Sequence, residues 1–399
     1  MRTRPLQSLE LFTGAGGLAL GAAASGFAHS GLFEWNTNAC NSLRENSKRV
    51  ELMSSWPVIE GDVRDVDFHE YRSGVTLLAA GAPCQPFSLA GKHRGDSDER
   101  NMFPEVFRAV RATAPEIVVI ENVKGLLRTS FRPYFDHLLR QLSAPELACP
   151  RDSDWRRHDD RLVRRIQKGD AGSLRYTVSH QLLNAADFGV PQRRHRVFIV
   201  AFRSDLELSW RELAATHSED ALLWAKWIDG SYWDEHGLKR RSVPARLRPR
   251  ISTLMQLGKP ATKRWNTVRD ALRGLPEPTT REHPSILNHV GNPGARSYAG
   301  HTGSPWDEPA KTLKAGDHGV PGGENMLRRD NGTVRYFSVR EAARLQGFPD
   351  EYRFSGAWTE GFRQLGNAVP VPLAQAVIER ARDLFLERKR GSARRERIA

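Results

Sequence analysis

Apolar runs alternate with helix-patterned stretches through the first half of the chain. Residues 6–12 (Leu-Gln-Ser-Leu-Glu-Leu-Phe) predict a strand that enters the glycine loop Thr13-Gly14-Ala15-Gly16-Gly17. The Ala/Leu-rich stretch 18–24 predicts a helix, closed by Gly26-Phe27. A second strand is predicted around 31–35, then a helix with Asn38 as its N-cap. Residues 58–63 mark the end of a third strand and its loop. The unbroken apolar run 75–80 predicts a buried fourth strand. A helix over 102–112 precedes a fifth strand over 116–120, which ends in Glu121-Asn122-Val123. Strand signals return at 174–178 and 196–202. Strands alternating with helices at this spacing predict a doubly wound α/β sheet.

The pattern also divides the chain. Residues 1–205 carry the alternation and read as one domain, with a polar surface insertion over about 143–172. From 206 to 335 the alternation fades into Pro, Gly, Arg and Trp, which predicts a smaller, loop-rich second domain. Residues 336–399 form a C-terminal segment: a helical, packed stretch over 336–353, a last helix over 371–386, and a basic, frayed tail from about 388.

In this scheme a polar residue, a glycine or a cysteine ends each of the five strands: Gly14, Glu34, Asp62, Cys84 and Glu121. In a parallel sheet those ends share one edge, where ligands bind. Cys84 lies in Gly81-Ala82-Pro83-Cys84-Gln85-Pro86-Phe87-Ser88, and the two prolines restrict the backbone on either side of it. A lone cysteine is most often a small buried hydrophobe. The glycine loop lets backbone N–H groups approach a ligand. It lacks the full G-x-G-x-x-G spacing and the phosphate-binding lysine. Glu34 can hold the ribose hydroxyls of an adenosine, Asp62 the adenine amino group, and Trp35 the adenine ring. An adenosyl ligand without phosphates fits these positions, and S-adenosylmethionine fits better than NAD or ATP.

The chain has 399 residues and a formal net charge of +13, which favours a polyanionic partner, most simply nucleic acid. Three cysteines (Cys40, Cys84, Cys149) argue against a disulfide framework, and no Cys/His spacing suggests a metal site. No apolar run is long enough for a bilayer span and no signal peptide is evident, so a cytoplasmic protein without a membrane partner is expected.

Six blocks, in order, resemble the C5-cytosine DNA methyltransferases of bacterial restriction-modification systems. They are residues 9–17, 81–88, Glu121-Asn122-Val123, Gln192-Arg193-Arg194-His195-Arg196, 340–349 (Arg-Glu-Ala-Ala-Arg-Leu-Gln-Gly-Phe-Pro) and Gly366-Asn367-Ala368-Val369-Pro370. The resemblance implies a mixed sheet of the S-adenosylmethionine-dependent methyltransferase type, with a target-recognition domain over 206–335. It implies that Cys84 adds to C6 of a flipped cytosine and that the methyl group goes to C5. By the same resemblance Glu121 binds the ring nitrogen and exocyclic amine, and Arg194 and Arg196 face the base, with Arg196 on its O2. The implied cofactor pocket contains Phe12, Gly14, Gly16, Glu34, Trp35 and Asp62. Pro83, Asn101, Asn367 and Val369 complete it. The loop after Ser88 closes over double-stranded DNA. A separate restriction endonuclease, a monomeric state and the absence of a metal are further expectations. The alternative is a tRNA cytosine-5 methyltransferase of the DNA-like branch, whose Cys-Phe-Thr signature this chain lacks.

Overall fold

The computed structural model describes residues 6–72, 74–83, 101–150, 154–298, 301–315 and 325–396, with side chains through 391. The first half contains β1 (Leu6–Leu11), α1 (Gly17–Ala24), β2 (Phe27–Glu34), α2 (Thr37–Asn46), β3 (Val58–Glu60), β4 (Val75–Ala80), α3 (Phe103–Thr113), β5 (Ile117–Val123), α4 (Arg132–Ser143), α5 (Trp155–Gln167), β6 (Tyr176–Asn184) and β7 (His195–Arg203). The second half contains β8 (His217–Ser218), α6 (Glu219–Trp227), α7 (Ser231–Glu235), α8 (Arg248–Leu257), β9 (Lys263–Arg264), α9 (Val268–Leu272), β10 (Ser304–Pro305), β11 (Met326–Arg328), β12 (Val334–Tyr336), α10 (Val339–Leu345), α11 (Trp358–Asn367) and α12 (Val371–Glu396).

The first seven strands form one sheet in the order β3-β2-β1-β4-β5-β7-β6. β7 runs antiparallel to both β5 and β6, so the sheet is mixed, as expected. The order reverses between β1 and β4, which opens a crevice at the C-terminal edge. All six residues of β4 are buried, because helices cover both faces. Alternate positions serve opposite cores. Leu77, Ala79, Ile117 and Val119 pack with Leu18, Leu373 and Val377 of α1 and α12. Leu78, Ala80, Val118 and Ile120 pack with Val106, Val110 and Phe135 of α3 and α4.

After β7 the chain leaves the large sheet. It makes a β8–β9 pair and a small β10-β11-β12 sheet. Val268, Leu272 and Leu313 share a core with Ala15 and Leu43, and with Ala342 and Leu365 of α10 and α11. The glycine-loop end of the first half is therefore packed against the second.

Four local expectations need correction. The cap of α2 is Asn36, whose side chain accepts from the Ala39 N–H, not Asn38. The stretch over 143–172 is not only loop: α5 buries His158 and Leu162 against α4 and the turn after it. Residues 336–353 are helical only over Val339–Leu345; Gly347, at φ 75, ends that helix. The last helix does not fray at 388 but runs to Glu396.

Candidate active site

The glycine loop is built from backbone that only small or constrained residues adopt. Phe12, Gly14 and Gly16 have φ of 59°, 57° and 77°. Thr13 fixes the loop to β2 through its N–H and hydroxyl, both donating to the Phe33 carbonyl. One Glu34 carboxylate oxygen accepts from the Gly14 N–H and the other from the Asn36 N–H, each at 2.8 Å. Burial pushes the Glu34 carboxyl up, and these backbone donors partly offset it. Glu34 thus joins the loop ends of β1 and β2. The space above Gly14 is open: a Cβ there would meet nothing within 4 Å. Gly17 is the opposite case, since a Cβ there would fall 2.1 Å from the Val369 carbonyl oxygen. Val369 therefore closes against the start of α1, while Asn367 is exposed at the end of α11.

Trp35 is 74% exposed beside Glu34, with its ring open to a flat ligand. Asp62 is engaged by Arg64, and that hydrogen bond holds its carboxyl below the usual carboxylate range. Asn101 donates from its side chain to the Tyr134 hydroxyl and accepts from the Phe103 N–H. One residue not anticipated from the sequence is Glu10. It is fully buried on β1, its Oε2 has no hydrogen-bond partner among the described residues, and burial raises its carboxyl well above the ordinary value. Its signal was a charged residue inside an apolar strand.

The catalytic candidates gather at the neighbouring strand ends. Glu121 pairs with Phe198 in the β5–β7 register, so Arg196, two residues earlier, lies diagonally across on the same face. Arg196 Nε stands 2.7 Å from Glu121 Oε1, with both side chains nearly buried. Burial pushes the Glu121 carboxyl up; Arg196 and Arg194 oppose that shift. Asn122 points to the other face and donates to the Ala82 carbonyl at 3.2 Å. This ties β5 to the backbone before Pro83. Cys84 and the loop after Ser88 lie outside the described residues. Of the other cysteines, Cys40 is buried, donates to the Glu34 carbonyl, and has its thiol pushed up to about 12 by burial.

Arg194 departs from the expectation that it faces the base. It is completely buried, and its guanidinium donates to the carbonyls of Leu313, Gly366 and Ala368 at 2.9, 2.6 and 2.9 Å. Those three carbonyls come from the loop-rich region, from the end of α11 and from the turn before α12. Arg194 is a strut between them and β7, close enough to Glu121 to bias its charge.

The model for C-5 cytosine-specific DNA methylases matches residues 6–145 and 156–382. The chain belongs to that family. This methyltransferase is 32% identical over 374 residues to the Type II methyltransferase M.NgoMIV of Neisseria gonorrhoeae, covering 93% of this chain and 95% of that protein. It is 34% identical over 381 residues to M.Eco47II of Escherichia coli, covering 92% of this chain and 77% of that protein. In fold it is similar to the S. pombe Dnmt2 methyltransferase, with a TM-score of 0.54 at 17% identity, covering 96% of this chain and 98% of that one. It is thus a DNA cytosine-5 methyltransferase, of a family that depends on S-adenosylmethionine.

Its second half is fastened beside β7. Arg193 reaches Glu219 and Glu308 at 3.0 Å each and lies over the Trp265 ring. Thr312 donates to the Arg193 carbonyl at 2.7 Å. Among the described residues, Glu235, His236 and Asp270 place metal-ligand atoms close together. Arg264 and Arg273 neutralise that cluster, so it is an ion-pair network. Among the described residues no helix is long and apolar enough to cross a membrane.

Proposed function

We propose that Cys84, Glu121 and Arg196 carry out the methyl transfer, with Arg194 as their support. The observation that carries this is the Glu121–Arg196 pair on the strand whose Asn122 holds Ala82, two residues before Cys84. A cytosine C5 is a weak nucleophile. The Cys84 thiolate forms a bond to C6, and the ring electron pair moves to C5. A Glu121 carboxyl that keeps its proton donates to the ring nitrogen and offsets the charge arriving there. Arg196 reads the O2 side. C5 then bonds to the methyl carbon as the methyl–sulfur bond of the donor breaks and its electron pair stays on sulfur; a base takes the C5 proton, and the electrons of that C–H bond restore the ring double bond as Cys84 leaves. Because C5 and C6 are stacked inside a duplex, the target base must first be flipped out.

S-adenosylmethionine supplies a methyl group on a positively charged sulfur. The residues at the β1 and β2 ends fit it: open space over Gly14, an exposed Trp35 ring, and an acidic Glu34 already aligned by two N–H donors. Glu34 would take the ribose hydroxyls and Trp35 the adenine. Asp62 would accept from the adenine amine once Arg64 yields. Phe12, Gly16, Pro83, Asn101, Asn367 and Val369 would line the remainder. We place the enzyme in the cytoplasm, as a monomer that needs no metal and protects DNA from a separate cognate endonuclease.

The test uses tritiated S-adenosylmethionine with duplex DNA and with RNA in parallel. Label in DNA cytosine, lost in Cys84→Ala with DNA binding retained, is expected. Label confined to RNA, or an active Cys84→Ala enzyme, would overturn the reading.

A further inference from the structure

Helix α5 carries a feature that methyl transfer does not use. Arg157, Arg161, Arg164 and Lys168 recur at intervals of four, three and four residues, and all are exposed. That spacing puts them on one helical face, over about 16 Å. The opposite face is committed to packing: His158 and Leu162 are buried, and Trp155 stacks edge-on with Tyr134 at 5.3 Å. Neighbouring basic groups have acidic partners. Arg156 meets Asp154, Arg165 meets Asp170, and Arg140 meets Asp159. Among the described residues none of the four stripe cations has a carboxylate within 4.0 Å, and Arg161 alone of them has a protein acceptor, the Ala148 carbonyl. Asp160 flanks the stripe without pairing to it.

The position of the stripe follows from its packing. α4 follows β5, so its first turn stands at the sheet edge that holds Glu121. α5 lies alongside in the same direction, since Trp155 meets Tyr134, His158 meets His137, and Leu162 joins the core with Ala144. Tyr134 in turn accepts from Asn101. The Arg157 end is therefore at the substrate edge, and the stripe leads away along the flank of the molecule.

We propose that this stripe binds the phosphate backbone of the substrate duplex outside the stretch being read, as a sequence-independent anchor. Charge complementarity selects the occupant: regularly spaced cations without carboxylate partners match regularly spaced phosphates, and the reaction already requires duplex DNA. The inference rests on the DNA methyltransferase reading.

The experiment measures binding by fluorescence anisotropy to random-sequence duplexes of about 12 and about 40 base pairs, over a range of salt concentrations. The wild type is compared with Arg157→Gln/Arg161→Gln/Arg164→Gln/Lys168→Gln and with Arg157→Lys/Arg161→Lys/Arg164→Lys. The glutamine variant should bind the long duplex about tenfold or more weakly at low salt. Its salt slope should fall by about 0.9 for each phosphate that is no longer neutralised, with little change on the short duplex. The lysine variant should bind the long duplex like the wild type. Equal binding of the long duplex by the wild type and the glutamine variant overturns the proposal, as does an equal weakening on both lengths. Failure of the wild type to methylate any DNA overturns the underlying reading instead.

Discussion

Asn122 is 1% exposed and gives its side-chain N–H to the Ala82 carbonyl at 3.2 Å. Successive residues on a strand face opposite ways, so one strand end does two things: Glu121 meets Arg196 on one side, and Asn122 holds the stem of the Cys84 loop on the other. Asn122→Ala frees that stem. A displacement of about 1 Å in a reacting group can cost about a hundredfold in rate. Steady-state kinetics should show kcat down by about ten- to a hundredfold, with affinity for S-adenosylmethionine unchanged. An unaltered kcat would remove Asn122 from the positioning of the thiol.

Glu121 gives the reaction a pH signature. Its carboxyl is raised by burial, with Arg196 opposing. A raised carboxyl keeps its proton to higher pH than a free glutamate. Its contribution to stability is complete below the unfolded value and is lost as pH rises through the folded one. Activity that needs the protonated form should fall over that same rise. Arg196→Met removes an opposing charge, so the alkaline limb should move to higher pH while kcat drops by about a hundredfold or more. A limb that stays in place, followed by pH–rate profiles, would break the link between the two residues.

Arg194 should behave as a strut. Arg194→Ala leaves the Leu313, Gly366 and Ala368 carbonyls without their donor. Each buried orphan costs about 1–3 kcal/mol, so urea unfolding should show a loss of about 3 kcal/mol or more. Because Val369 follows one of those carbonyls, the KM for S-adenosylmethionine should rise along with it. A variant of full stability and low kcat would instead return Arg194 to the reacting base.

Tyr352 is completely buried and donates to the Ala15 carbonyl at 2.8 Å, at the centre of the glycine loop. Tyr352→Phe keeps the packing with Phe348 and Phe354 and removes that bond together with the hydroxyl's interaction with the Asn46 side chain. The loss should be about 1–2 kcal/mol, with KM for S-adenosylmethionine up several-fold and kcat at saturation preserved. Calorimetric titration of the cofactor would check it; unchanged affinity would make the bond purely structural.

The strand–helix order, the doubly wound class and the edge where the chemistry gathers were all legible in the residues alone. Period-two and period-3.6 patterns are local, and a parallel sheet then forces its strand ends onto one side. Glu34, Glu121, Trp35 and the glycine loop could be read for that reason. Local pattern did not reveal α5, whose apolar positions are few and become a face only when α4 supplies their partner. It did not separate Arg194 from Arg196, two residues apart on the same face. That choice belongs to the tertiary structure: carbonyls 119 to 174 residues away in sequence accept from both terminal nitrogens of Arg194, while Arg196 is left against Glu121. Asn122 and Tyr352 acquired their places in the same way. A hydrogen-bonding group's role depends on which acceptor the fold brings within about 3 Å of it, and spacing along the chain does not encode that distance.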